Sequence, residues 1–422
     1  MVRVLHVLGG LGLGGAESRI MDLYRNMDRS QVQFDFLVHM DPREYARAVS
    51  DGVDPASYRK PQFFDDEIRS LGGQIYAVPR FRAYNYFAYR QAMHAFFKEH
   101  HAFSVVQAHM TSTASIYLPI AVHYREASAK PELSMVTVAH TRNAGVDRGL
   151  KGVLVRILRR SLPAKADFLF ACSHLAGDKT FGGAPYTYIP NTIDTARFTF
   201  DPSAREIVRD RHNIAPDDIV IGNVARFSPQ KNQSFLIRAF AGMRRKDRNI
   251  KLLLCGEGAL RDECEHLAGE LGVYDRVIFA GSQSEIEKYY SAMDIFAFPS
   301  IYEGLPGVVV EAQASGCKCL ISDTITPDVM ILDNAEMYPI NEGPESWSRK
   351  LNKMVGELIS ADEERKDSAG QQADGGRSDA DRMRYAREME EAGFDVHEQA
   401  ARVMAFYLDP CADTAPGAST GE

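Results

Sequence analysis

The stretch SIYEGLPGVVVEAQASGC, residues 300–317, places Glu311 in the middle of an apolar run and Glu303 just before a Gly-Leu-Pro-Gly turn. A carboxylate among apolar neighbours is costly unless something hydrogen-bonds it, so the pattern asks for a partner. Pro306 suits the first turn of a helix, whose opening backbone amides would be unpaired and could face a ligand. Upstream, the strand-like run IVIGNVA leads into ARFSPQKN, which sets Arg226 and Lys231 at the carboxyl end of a strand, where open α/β sheets bind ligands. Two cations there could neutralise a diphosphate. The run IKLLLCGEG ends in the turn Gly256, Glu257, Gly258, which permits close backbone approach.

Near the N-terminus, RVLHVL runs into GGLGLGGAESRIMDLYRNM, and Gly10, Gly12 and Gly15 satisfy G-x-G-x-x-G before an amphipathic helix. A dinucleotide fingerprint would need an acidic residue closing the second strand, but FDFLVHMD ends in His39 and Met40 and reaches Asp41 late. Two other readings stand beside it: a tight turn without a ligand, and a flexible lip, with Gly14 and Gly15 facing a phosphate or substrate held mostly by the second half of the chain. The second half favours the lip. His109 follows SVVQA and His140 ends VTVAH, ahead of Arg142. Each histidine is either a site residue or a strand-end residue satisfied by the backbone. Asn191 and Asp194 in IPNTID read as a structural turn.

The elements that must position these residues are legible as period. Short apolar runs alternate with helical stretches in two series, which predicts two doubly wound α/β domains with parallel sheets. The series break near YIPNTIDTARF. The expected domains are 1–190 and 191–383, both Rossmann-like, followed by a final helix at 384–409. The tail 410–422 is expected to be disordered. Residues 41–67 read as a long loop or insertion, and 361–383 as a mobile connection or exposed helix. The formal net charge of −8 argues against nucleic acid as a partner. The six cysteines fit neither a zinc site nor a disulfide framework and read as free thiols. No D-x-D closes a strand in a metal-binding setting, and Phe34-Asp35-Phe36 is a decoy, so no metal is expected.

Taken together, ARFSPQKN, CGEG, AGS and FPSIYEGLPGVVVEAQASG resemble the donor half of the retaining family 4 glycosyltransferases of GT-B fold, including an E-x7-E motif at Glu303 and Glu311. HVLGGLGLGGAE, FFDDEIRSLGGQIYAVPRF, VVQAHMTSTAS, VAHTRNAG, FACSHLAG and IPNTID resemble the first half of the same group, in particular enzymes of bacterial exopolysaccharide and capsule assembly. The resemblance implies a GT-B fold of two Rossmann-like domains with an interdomain cleft, 1–190 on the acceptor side and 191–383 nucleotide-sugar-binding, with the helix 384–409 packing back on the first domain. It implies hexosyl transfer from a nucleotide diphosphate sugar, with UDP as the expected nucleotide, to a saccharide or lipid-linked saccharide. On this resemblance Arg226 and Lys231 hold the diphosphate, Glu303 accepts from donor-sugar hydroxyls, and Gly304, Leu305 and Pro306 lie against sugar and phosphate. Glu311 accepts from the ribose, while Gly256, Glu257, Gly258 and Ser282 line the base pocket. His109 serves beside the sugars, with His140 and Arg142 on the acceptor side. The nucleotide sugar is a co-substrate, no cofactor is expected, and transfer is expected to be metal-independent. A nucleotide-sugar epimerase or a non-catalytic assembly subunit on the same scaffold are the alternatives.

RGLKGVLVRILRRS, residues 148–161, sets Arg148, Lys151, Arg156, Arg159 and Arg160 around apolar residues at helical spacing. It reads either as a core-facing helix with a solvated basic face or as one drawn to an anionic membrane surface. No segment is apolar enough for a membrane span, so a cytoplasmic protein is expected, with a peripheral position on the inner face of the membrane under the second reading.

Overall fold

The computed structural model describes residues 1–422 except 101, 125–134, 143–148, 244–248, 370–378, 411 and 413–422. Tertiary contacts divide the chain into two compact units, Met1–Asn191 with Val396–Glu422, and Thr192–Asp395. Each is built on one parallel sheet.

In the first unit the strands are β1 (Val2–Leu8), β2 (Val32–Met40), β3 (Ile75–Pro79), β4 (Val105–Ala108), β5 (Val136–Thr141), β6 (Phe168–Ala171) and β7 (Thr187–Tyr188). Their order across the sheet is β3-β2-β1-β4-β5-β6-β7. Every residue of β2 is buried, as expected of a strand covered on both faces. The order reverses direction between β1 and β4, which pair in register from Val4 opposite Val105 to Val7 opposite Ala108. A crevice at the carboxyl ends of such neighbours is the standard ligand position of this architecture.

The second unit repeats the plan with β8 (Ile219–Val224), β9 (Ile250–Cys255), β10 (Val277–Gly281), β11 (Ile295–Phe298), β12 (Lys318–Ser322) and β13 (Ala335–Tyr338). The order is β10-β9-β8-β11-β12-β13, with the reversal between β8 and β11. Strands β7 and β13 are absent from the sequence reading. β7 has two residues and β13 carries Glu336 and Tyr338, so neither presents a clear apolar run.

Residues 41–67 are not one long loop. They hold the helices Pro42–Ser50 and Pro55–Tyr58 and the start of Asp65–Ser70. Asp41 accepts from the Arg43 amide and Asp54 from the Ala56 amide, so two Asp-Pro pairs act as helix caps. The stretch 361–383 continues the Pro344–Ala369 helix and ends inside Asp379–Glu391, while 370–378 lie outside the described residues.

Two helices occupy the place of the single expected one at 384–409. Asp379–Glu391 packs on the Gly307–Ala314 helix within the second unit, and Val396–Leu408 belongs to the first. Between them Gly393 adopts the left-handed conformation (φ 80°), which ends the first helix. Asp395 then accepts from the Thr195 hydroxyl at 2.6 Å. Val396–Leu408 buries Val403, Phe406 and Tyr407 in the apolar layer that also holds Phe34, Phe36 and Phe170. Most of the expected disordered tail, from 413, lies outside the described residues, as does Cys411. The other five cysteines are buried free thiols.

Candidate functional site

In the second unit the turn after β8 and the turn after β11 meet at the sheet reversal. Lys231 Nζ lies 2.6 Å from Glu303 Oε1, and the Ser300 hydroxyl donates to the same oxygen at 2.6 Å. The ammonium also lies 5.1 Å above the Phe298 ring. The backbone is tied as firmly: Ile301 N–H donates to Gln230 O at 2.9 Å, and Gln230 Nε2 to Tyr302 O at 2.7 Å. Asn232 takes a left-handed φ of 58° ahead of the Gln233–Ala241 helix, turning the chain so that Lys231 points back at Glu303. Lys231 and Glu303 are thus held in a geometry that both strand-to-helix turns specify. Arg226 lies on the same turn after β8 with an exposed side chain, its carbonyl accepting from Gln233 Nε2 at 3.0 Å.

The glycine turn after β9 explains itself sterically. A Cβ on Gly256 would lie 2.1 Å from the Ala225 carbonyl oxygen, and φ is 139°. A Cβ on Gly258 would meet Phe227 O at 2.3 Å. Close approach is therefore needed between two protein segments, which seats Arg226 and Phe227 against the turn. Glu257 is half exposed and pairs with Arg261, and Ser282 is exposed after β10.

Pro306 caps the Gly307–Ala314 helix, and Gly304, Leu305 and Pro306 are buried. Glu311 is 5 % exposed on this helix, and its Oε2 accepts from the Tyr290 hydroxyl at 2.8 Å. Burial, then the Glu311 carboxylate, raise the Tyr290 phenol far above its ordinary range, so it stays a donor. Tyr290 is the partner that the apolar run conceals. It is one of two tyrosines in EKYYSA, and helical spacing alone does not reveal which faces Glu311.

In the first unit the glycine loop leaves β1 and Gly14 caps the Gly15–Arg25 helix. Gln62 Oε1 accepts from the Leu11 amide, while a Cβ on Gly14 would collide with the Glu17 carboxylate. Gly12 and Gly15 face open space. His109 follows β4, its amide donating to Val7 O at 3.1 Å. Arg142 Nε donates to His109 Nδ1 at 3.2 Å, and its Nη1 to Asn191 Oδ1 at 2.8 Å. His109 Nε2 lies 3.0 Å from His6 Nδ1, so both of its ring nitrogens have protein partners. His140 is buried on β5 with Nδ1 at 2.9 Å from Gln107 Nε2, and Gln107 Oε1 accepts from Tyr407. Burial, reinforced by the Arg142 charge, pushes His6 down to about 3 and holds His109 and His140 well below the usual imidazole range.

The sequence reading missed His6, Gln107 and Tyr407. A histidine inside the apolar strand RVLHVL was the available signal, of the same kind as Glu311 in its helix. The decoy Asp35 is fully buried, bound to Arg3 at 2.7 Å and to the Gln74 amide at 2.8 Å. Among the described residues no group of three or more His, Cys, Asp or Glu could hold a metal ion.

Of the expected basic helix, Gly149–Arg160 is helical and Arg148 lies outside the described residues, as does the side chain of Lys151. Its apolar residues divide: Leu158 packs on the core, whereas Val153 and Ile157 are 48 % and 61 % exposed. Arg156 and Arg160 are exposed too, and Arg159 is partly buried. Among the described residues no helix is long and apolar enough to cross a membrane.

Residues 13–197 match the family described as Glycosyltransferase Family 4, and residues 204–373 match Glycosyl transferases group 1. The chain is 36 % identical over 335 residues to the putative glycosyltransferase EpsF of Bacillus subtilis, covering 78 % of this chain and 80 % of that one. A Campylobacter jejuni enzyme, N-acetylgalactosamine-N,N'-diacetylbacillosaminyl-diphospho-undecaprenol 4-alpha-N-acetylgalactosaminyltransferase, is 35 % identical over 26 % of this chain and 30 % of its own length. Among solved structures, Anabaena HepE in complex with UDP and glucose superposes with a TM-score of 0.68 at 16 % identity, covering 96 % of this chain and 99 % of that one. WaaG, a glycosyltransferase involved in lipopolysaccharide biosynthesis, superposes with a TM-score of 0.64 at 15 % identity, covering 96 % and 99 %.

Proposed function

Since the chain belongs to the family 4 glycosyltransferases and carries the two Rossmann-like sheets of the GT-B fold, we propose that it transfers a hexosyl group, with retention of configuration, from a UDP-sugar to a saccharide or lipid-linked saccharide in polysaccharide assembly. The observation that carries this reading is the Lys231–Glu303 pair at the reversal of the second sheet. On binding, the donor exchanges that internal contact for two of its own. The diphosphate takes Lys231 together with exposed Arg226, and the sugar hydroxyls take Glu303. As the bond from the anomeric carbon to the phosphate oxygen breaks, the leaving group gains negative charge, which fixed cations and helix-start amides stabilise more than they stabilise the ground state. The acceptor hydroxyl oxygen forms the new bond to the anomeric carbon, and its proton passes to the departing phosphate oxygen, which has taken the electron pair of the broken bond. Glu311, oriented by Tyr290, receives the ribose hydroxyls. The Gly256 and Gly258 turn, with Glu257 and Ser282 at its rim, lines the base pocket. Gly304, Leu305 and Pro306 form the floor under sugar and phosphate.

Uridine is supported by the UDP in the HepE complex, and a lipid-linked acceptor by the printed name of the Campylobacter relative. The acceptor side is assigned to the first unit, with His140 and Arg142 on that side, His109 beside the sugars, and Gly14 and Gly15 as a donor-binding loop. Val153, Ile157, Arg156 and Arg160, exposed on one helix, support attachment to an anionic membrane where such an acceptor would reside. The test is a panel of UDP-, GDP- and TDP-sugars assayed for nucleotide release with and without lipid-linked saccharides, followed by mass and anomeric analysis. Acceptor-dependent release of UDP with an α-linked product from an α-linked donor is expected. Isomerised sugar without acceptor would indicate an epimerase, and no turnover of any donor would indicate an assembly subunit.

A further inference from the structure

His6, Gln107, His140 and Tyr407 form a polar cluster inside an otherwise apolar layer between the first sheet and the helices Gly15–Arg25 and Val396–Leu408. His6 on β1 is cross-strand from Gln107 on β4. His6 and His140 are each 1 % exposed, and Nε2 of both makes no hydrogen bond to any described residue. Both rings line one internal cavity, with Arg142 and Tyr407, that has room for about one water molecule.

The proton positions follow from the donors. A guanidinium only donates, so His109 Nδ1 accepts from Arg142. A neutral His109 then carries its hydrogen on Nε2 and donates to His6 Nδ1. His6 in turn must carry its hydrogen on Nε2. The Gln107 amide donates to His140 Nδ1 because Tyr407 donates to its oxygen, which puts the His140 hydrogen on Nε2 as well. Two N–H donors without a hydrogen-bond partner among the described residues therefore line the same cavity. Leaving both unpaired would carry the full desolvation penalty of two buried donors, and the donors and the Arg142 charge disfavour a cation.

We propose that this cavity is a binding site for a single neutral hydrogen-bond acceptor, one water molecule, which accepts from Nε2–H of both His6 and His140. The water closes a chain that runs from Arg142 through His109 to His6 and from Tyr407 through Gln107 to His140. Each bond in such a chain polarises the next. For the reaction, and resting on the glycosyltransferase reading, this makes His109 a neutral ring whose two nitrogens are already spent; it shapes the acceptor side without taking the acceptor proton.

The test uses the full chain and needs no activity. Long-range proton–nitrogen correlation on protein labelled at histidine should show His6, His109 and His140 as neutral rings protonated on Nε2. A high-resolution crystal structure should show one water within hydrogen-bond distance of His6 Nε2 and His140 Nε2, with no anomalous peak there after a bromide soak. His140→Phe should lose that water and His140→Gln, which keeps an N–H in that direction, should retain it. A hydrogen on Nδ1 of His6, a dry cavity in the wild type, or bromide in the cavity would each overturn the proposal. So would a water that persists in His140→Phe. These outcomes leave the donor assay untouched, so failure here and failure of the proposed function are separable.

Discussion

Glu303 and Glu311 look alike in the sequence and occupy different environments. Glu303 is bound by a lysine and a serine at a turn, where a ligand can compete for it. Glu311 is buried on a helix and bound by a phenol. Their substitutions should therefore separate. Glu311→Gln keeps an acceptor for Tyr290, so it should cost less than about 1.5 kcal/mol of stability in urea unfolding. It should weaken UDP binding about tenfold, read by calorimetry. Lys231→Ala should lower kcat/KM roughly 10²- to 10³-fold with little change in the unfolding midpoint if, as proposed, its charge acts on the leaving group. At this scale the sequence exposed the charged residues and hid their partners. An E-x7-E spacing is visible on the page, whereas Tyr290, Ser300 and Gln107 are ordinary residue types whose role depends on what folds against them.

The elements that hold these residues were legible where period is strong. The alternation of apolar runs and helices gave both sheets, and the cation pair fell after β8 as strand-end chemistry predicts. Two local devices escaped that reading. The Asp-Pro caps at 41 and 54 start helices in a stretch whose polarity suggests a loop, and Gly393 divides the final helix by its backbone conformation. The glycines make a sharper prediction. Gly256→Ala drives a Cβ into the Ala225 carbonyl at a φ of 139°, so a loss of ~2–4 kcal/mol is expected in equilibrium unfolding. Gly12→Ala meets nothing within 4 Å and should leave the midpoint unchanged. A fall in activity of Gly12→Ala at unchanged stability would place a ligand above that loop.

For the whole molecule, buried neutral histidines link stability to pH. His6 is held near 3 and His39 near 4 by burial, against about 6.5 in the unfolded chain. The unfolded state binds the extra protons, so their contribution is complete above pH 6.5 and is lost as pH falls toward the folded values. At pH 5 each should cost about 2 kcal/mol relative to pH 7.5, measured as a shift in the urea midpoint. The proposed attachment to a membrane is tested at this scale as well. Arg156→Glu with Arg160→Glu should abolish co-sedimentation with anionic liposomes while leaving transfer to a water-soluble acceptor intact, and unchanged sedimentation would remove the membrane from the account. The central claim is that the Lys231–Glu303 turn pair handles a nucleotide-sugar donor. The most direct measurement is acceptor-dependent UDP release by the wild type and Glu303→Gln at saturating donor, with unfolding midpoints recorded alongside. The account predicts a fall of about 10²-fold or more at an unchanged midpoint; wild-type turnover by the variant would contradict it.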